Sequence, residues 1–393
     1  MNVTSMTGKT GADLATRAFG RVSTAGTTAA EAVLGRLAAS GLAPARALGA
    51  THAEIAPHVE SSPNRVGGAF GNPEPMGAAR PDAQVFADML RRPGRPRRPV
   101  MVTIPRFEAP AELAVTWLGH ASALVDLDGA RVLTDPVFSM RCSPSELVGP
   151  ARMHPSPVSA ADLPDVDVVL ISHDHYDHLD METVVAIGER QPGAVFVAPI
   201  GVGAHLIRWG IPIERIRQAD WGQSITVDTA AATLRFVCGP ARHFSGRSLA
   251  RNLTQWASWA VLGPSHRVFF SGDTGYTERF EDLGAQHGPF DLSLIAVGAY
   301  DPVWPDVHVN PEEAVAIHRM LSGSAGADAV VVPIHWGTFN LARHPWGDPI
   351  VRLLSDAERN ATTVLVPQPG GTIDLLRRDG TGLRHPGWWE ASA

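Results

Sequence analysis

A chain of 393 residues, 44% hydrophobic and 19% charged, has ample apolar mass for a large core, and its formal net charge of −7 argues against nucleic acid, which needs a basic face, as the main partner. Lys9 is the only lysine, so the Arg content reads as a coding bias toward Arg. Cys142 and Cys238 are too few for a disulfide framework, and no run of eighteen apolar residues marks a membrane span. The expectation is a cytoplasmic protein with two reduced thiols and, at most, peripheral contact with a membrane.

Residues 1–60 form an Ala/Gly-rich extension, in which Val33, Leu34, Leu37 and Leu42 recur at helical spacing. Residues 61–110 are rich in Pro, Gly and Arg and include "RRPGRPRRP" at 91–99, the texture of a linker or wrapping arm. A stretch long enough for one large domain follows over 111–385. It opens with short β-branched runs, "LAVTWLG", "SALVDLDG" and "ARVLTDP", joined by turn signals that predict hairpins. "VDVVLIS" reads as a buried strand, "METVVAIGER" as a helix, "GAVFVAP" as a strand and "GVGAHLIRWG" as a second helix. The alternation recurs through "SITVD", "ATLRFVCG", "WASWAVLG", "RVFFSGD", "DLSLIAVG", the helix "NPEEAVAIHRML", "AVVVPIHWG" and "TTVLVPQPG". Two comparable runs of strands and helices predict α/β (α+β) layers, with polar clusters at strand ends.

The densest cluster is "LISHDHYDHLD", residues 170–180. Residues two apart lie on different faces of a helix, so His173 and His175 can converge only on a loop. Asp177 and His178 complete a donor set of imidazole nitrogen and carboxylate oxygen that suits zinc, iron, manganese or nickel. Four donors are half of a two-metal site. Three later apolar runs each end in a further donor: His243, Asp273 and His335.

The set His173-x-His175-x-Asp177-His178, then His243, Asp273 and His335, resembles the metallo-β-lactamase superfamily over about residues 112–370. "WLGHASALVDLDGARVLTDPVFSMRCSP", "HFSGRSLARNLTQWASW", "GDTGY", "GAYDPVW" and "IHWGTF" are similar to its N-acyl-phosphatidylethanolamine-hydrolysing phospholipase D-like branch. The resemblance implies an αββα sandwich and two zinc ions. It implies one metal on His173, His175 and His243, and another on Asp177, His178 and His335, with Asp273 shared. Asp135 matches a strand-end carboxylate expected to fix the tautomer of a ligand His, and His120 reads as a residue behind the ligands.

Catalytic roles fall to Asp273 and Asp177 around a bridging hydroxide; the resemblance implies that His308 lies near the substrate, where it or a metal-bound water would protonate the leaving oxygen. Tyr276 and Tyr300 are weaker candidates for substrate contact. The leading reading is a binuclear metal-dependent phosphodiesterase of phospholipase D type, acting on an N-acyl-phosphatidylethanolamine-like or other amphiphilic phosphodiester. The alternatives are a lactone or carboxylic ester hydrolase using the same metals, and a non-catalytic, membrane-peripheral metal-binding protein.

Overall fold

The Asp128-Gly129 turn shows how local sequence starts the first sheet. Both residues have positive φ, 50° and 81°, as a two-residue hairpin requires and as Asp-Gly allows at low steric cost. The turn joins β4 (Ser122–Leu127) to β5 (Ala130–Thr134), while β3 (Leu113–Gly119) pairs antiparallel on the other side of β4. The computed structural model describes residues 43–77, 87–88, 94–248, 250–323, 328–377 and 387–393. In it β6 (Val168–Leu170), β7 (Val195–Pro199) and β8 (Ile216–Ala219) extend the sheet in parallel from β5. With β16 (Thr372–Asp374) beside β3, the strand order is β16-β3-β4-β5-β6-β7-β8.

The second sheet repeats this plan. Antiparallel β9 (Ser224–Asp228), β10 (Thr233–Gly239), β11 (Ser258–Leu262) and β12 (Arg267–Phe270) lead into parallel β13 (Leu292–Ala296), β14 (Val330–Ile334) and β15 (Thr363–Val364). Val115, Val125 and Val132 from one sheet and Phe236, Val261 and Phe269 from the other share one buried core. Sheet therefore packs on sheet. Outside the first sheet lie α3 (Met181–Arg190) and α4 (Val202–Arg208), whose Val184, Ile187 and Leu206 pack on Val169 and Phe196. Outside the second lie α5 (Arg279–His287), α6 (Pro311–Ser322) and α7 (Asp348–Arg359), which bury Phe280, Ile317 and Leu353. This is the expected αββα sandwich.

Helix α6 begins where its sequence says it should. Asn310 caps the Glu313 amide, Glu313 returns the bond to the Asn310 amide, and Pro311 occupies the first turn, where no N–H is needed. Helices α5 and α7 are absent from the elements read from the sequence. Gly284 interrupts the first, and Gly347 and Pro349 at the start of the second read as a turn, although Ile350, Leu353 and Ala357 lie on one face.

On the buried face of α6, His318 lies 3.1 Å from the Ser293 hydroxyl, and burial pushes its pKa down to about 4. Its folded pKa lies below its unfolded value, so the unfolded chain binds the extra proton. Stability should fall as pH drops from about 6.5 toward 4, by up to about 3 kcal/mol from this residue. Denaturant midpoints at pH 7 and pH 5 should therefore differ less in His318→Gln than in the wild type, and an equal difference would show that His318 stays hydrated.

Short helices α1 (Ala43–Ala47) and α2 (His52–Val59) pack against the domain, burying Ile55 and Val59 with Ala204 and Trp256. After them β1 (Arg65–Val66) and β2 (Ala69–Phe70) form a small hairpin. Phe70 and Val100 are buried at 2% and 7% exposure, so this stretch is anchored in the fold at both points rather than spaced off it. The stretch around Val33–Leu42, helical or mobile by its sequence, and the start of the 91–99 basic run lie outside the described residues. Trp117 stacks on Trp336 at 5.6 Å, and Trp388 covers both, so residues near 388 close over the strand end that carries His335. No helix among the described residues is long and apolar enough to cross a membrane.

Candidate metal centre

Every donor singled out in the sequence lies just beyond a strand's C-terminal end. The 173–178 loop leaves β6, His243 follows β10, Asp273 follows β12 and His335 follows β14, so both sheets deliver side chains to one rim. Three residues there hold positive φ without being glycine: Asp135 at 32°, His120 at 54° and His335 at 60°. Such backbone persists only where neighbours fix it. For His335 they do: its amide donates to the His120 carbonyl, and a Cβ on Gly298 would sit 2.2 Å from its own carbonyl.

Two donor groups form. In the first, His175 Nδ1 lies 2.8 Å from His173 Nε2 and 3.3 Å from His243 Nε2, and Asp273 Oδ2 lies 3.9 Å and 3.6 Å from His173 and His243. In the second, Asp177 Oδ2 lies 3.4 Å from His335 Nε2 and 3.7 Å from His178 Nε2. Asp273 faces this group too, with Oδ1 3.1 Å from His335 and Oδ2 3.1 Å from His178. Donors about 2.0–2.2 Å from one tetrahedral ion lie about 3.3–3.6 Å apart, within the observed spread.

Satisfaction of the polar atoms tests the fit independently. His178 Nε2, Asp273 Oδ1 and His335 Nε2 are buried with no hydrogen-bond partner, which is costly unless a ligand completes them. Asp135, Asp177 and Asp273 pair with imidazole, hydroxyl and amide groups, not with guanidinium groups, among the described residues. Buried negative charge without a fixed cation suits metal ions. The residues present fit that cofactor.

The far ring nitrogens of His178, His243 and His173 are held as metal-binding imidazoles require, whereas His335 Nδ1 is buried without a partner. His178 Nδ1 lies 2.6 Å from Asp135 Oδ2, His243 Nδ1 lies 3.0 Å from the Val307 carbonyl, and His173 Nδ1 lies 2.9 Å from Ser172 Oγ. His120 Nε2 lies 3.0 Å from Asp177 Oδ2, behind that ligand. Burial, reinforced by His335, pushes the His120 pKa down to about 3, so the ring is neutral.

His308 Nδ1 stands 3.9 Å from Asp273 and is buried without a partner. Burial lowers its pKa to about 4, so at neutral pH it offers a neutral N–H. The two tyrosines weighed as substrate contacts lie outside the donor cluster. The Tyr300 hydroxyl donates to Asp348 while its ring stacks on His344, and the hydroxyl is thereby committed elsewhere. Tyr276 packs against the inter-sheet core and accepts from Arg242 through its carbonyl.

Sequence reasoning missed a buried network behind the loop. Asp174 accepts from Gly246 N at 2.7 Å and Thr254 Oγ1 at 2.8 Å, with His205 Nε2 at 3.3 Å. Burial works to raise its pKa, but the His205 contact and charge, with Arg247 beyond, hold the carboxyl well below the usual range. Arg247 Nη1 donates to the Asp174 and Leu179 carbonyls, and Nη2 to the Ala47 carbonyl, tying α1 to the metal loop. The signal available was Asp174 itself, a further carboxylate between two ligand histidines.

Residues 130–336 match the family described as the beta-lactamase superfamily domain. The chain belongs to this superfamily and is a metallo-hydrolase. An uncharacterised protein of Mycobacterium tuberculosis is 52% identical over 352 residues, 87% of this chain and 91% of its own length. N-acyl-phosphatidylethanolamine-hydrolyzing phospholipase D 1 of Caenorhabditis elegans is 38% identical over 245 residues, 61% of this chain and 67% of its own. The structure of Igni18, a metallo hydrolase of Ignicoccus hospitalis, superposes with a TM-score of 0.52 at 23% identity, covering 66% of this chain and 97% of that one. Within the superfamily, the chain falls in the N-acyl-phosphatidylethanolamine-hydrolysing phospholipase D-like branch.

Proposed function

We propose that the chain is a binuclear zinc-dependent phosphodiesterase of phospholipase D type, acting on an N-acyl-phosphatidylethanolamine-like or other amphiphilic phosphodiester. The observation that carries this reading is one carboxylate, Asp273, facing both histidine groups. The identity to the C. elegans phospholipase supports the substrate class. His173, His175 and His243 would hold one ion and Asp177, His178 and His335 the other. A pair of such ions supplies a water of lowered pKa and polarises the phosphoryl oxygen.

The chain's own residues do the rest. Asp177 is 15% exposed where His173, His178, His243 and His335 are almost wholly enclosed, and His120 holds its Oδ2, so Oδ1 is left to take up the proton that the attacking water loses. His308 donates an N–H to a non-bridging phosphoryl oxygen and favours the transition state as charge grows there. Water adds to phosphorus, the ester oxygen departs with a proton as the alcohol, and a phosphomonoester remains. His308→Gln is expected to lower kcat by about 10- to 100-fold with metal content unchanged, read by steady-state kinetics beside elemental analysis.

The same reading includes peripheral membrane contact by a cytoplasmic protein. Trp209 and Trp346 are buried and provide no landing surface, whereas Met140, Leu147 and Val148 are exposed. Met140 and Leu147 border a cavity of about 630 Å³ that Tyr176 of the metal loop and Met181 of α3 also line. Flotation with anionic liposomes tests the contact, and protein left at the bottom of the gradient would argue for a soluble phosphodiester. For the reaction, elemental analysis combined with phosphodiester, lactone and thioester substrates should give two metals per chain and phosphodiester turnover. Exclusive cleavage of lactone or ester would replace this reading.

A further inference from the structure

His243 lies on a loop beyond β10, away from the strand ladder, yet it is only 1% exposed. Its buried backbone groups need partners. Both come from Asn72: His243 N donates to Asn72 Oδ1 at 2.9 Å, and Asn72 Nδ2 donates to His243 O at 2.6 Å. A side-chain amide carries an acceptor and donors in the geometry of a peptide, so Asn72 pairs with His243 as a residue on a neighbouring strand would.

The segment bearing Asn72 is pinned on both sides. Phe70 is buried and its amide donates to the Asn252 carbonyl. Pro73 and Pro75 restrict the backbone, the Pro75 carbonyl accepts from Arg242 Nη2 at 2.6 Å, and Gly77 N donates to Asp306 Oδ2 at 2.5 Å. Arg242 and Asp306 are themselves paired at 2.9 Å. The strap at 70–77 thus fastens the loop of His243 to the loop of Val307, whose carbonyl holds the His243 ring. Asn72 sets where the residue's backbone lies and Val307 sets how its ring turns. Together they fix the direction of Nε2.

We infer that Asn72 is a positioning residue for the three-histidine metal site, acting through His243, and that the N-terminal strap is part of the metal centre. The inference rests on the metal-site reading above. The test is titration of the metal-free full-length chain with Co2+, followed by the visible ligand-field spectrum. Wild type should show two binding phases; if it binds no Co2+ at all, the metal reading itself fails.

In Asn72→Ala one phase should weaken by about 10- to 100-fold and its spectrum should change, while the other phase is retained. Asn72→Asp keeps the acceptor but sets a carboxylate against the His243 carbonyl, and should shift in the same direction. Ile350→Ala, a core change on α7, supplies a destabilised protein in which neither phase should move. Two wild-type phases with an unchanged spectrum in both Asn72 variants would overturn the inference, as would an equal change in Ile350→Ala.

Discussion

Asp273→Asn should lower the hydrolysis rate by about 10³- to 10⁴-fold while leaving the far-ultraviolet circular dichroism unchanged. The side chain is 3% exposed and presents Oδ2 to His173, His178 and His243, and Oδ1 to His335. The amide has almost the same shape, so packing survives. What changes is charge and polarity: one acceptor becomes an NH2 that points its hydrogens at ring nitrogens or at a cation. Metal content should fall below two per chain in the same preparation. Turnover at the wild-type rate by this variant, or by the chelated wild type, would remove the proposed mechanism.

The largest effect on stability is expected at Asp135. It is fully buried and accepts from Ser172 N at 2.7 Å, Ser172 Oγ at 2.5 Å and His178 Nδ1 at 2.6 Å. Asp135→Asn replaces one of those acceptors with a donor and cannot satisfy all three. Removing one partner from a buried charged pair costs about 3–5 kcal/mol, and disturbing the residue behind a metal ligand weakens metal binding by about 10- to 100-fold. Urea unfolding with and without a chelator separates the two contributions, because bound metal adds its own stability. Ser172→Ala removes only the hydroxyl and should cost about 1 kcal/mol. A midpoint for Asp135→Asn equal to wild type in both conditions would mean that the carboxylate is not the acceptor described.

The layer order and the seven donor positions were legible because each donor follows an apolar run that could only be a buried strand, and the 173–178 spacing excludes a helix. The partners behind the donors were not. Asn72 reaches His243 across 171 residues and Arg247 reaches Ala47 across 200, and a single sequence carries no sign of which distant carbonyl a side chain will meet. Tyr300 shows the same limit: a phenol near a motif is only a weak candidate for substrate contact, and its hydroxyl goes to Asp348, 48 positions away. The neutral state of His308 was also invisible, since it depends on burial and not on residue type.

The donors divide between the two sheets: the 173–178 loop hangs from the first, and His243, Asp273 and His335 from the second. Ions bound as proposed would act as a cross-brace over the seam between the halves of the molecule. Chains depleted of metal would then be easier to prise apart and quicker to meet proteases, and the supply of cation would set the lifetime of the protein as well as its turnover.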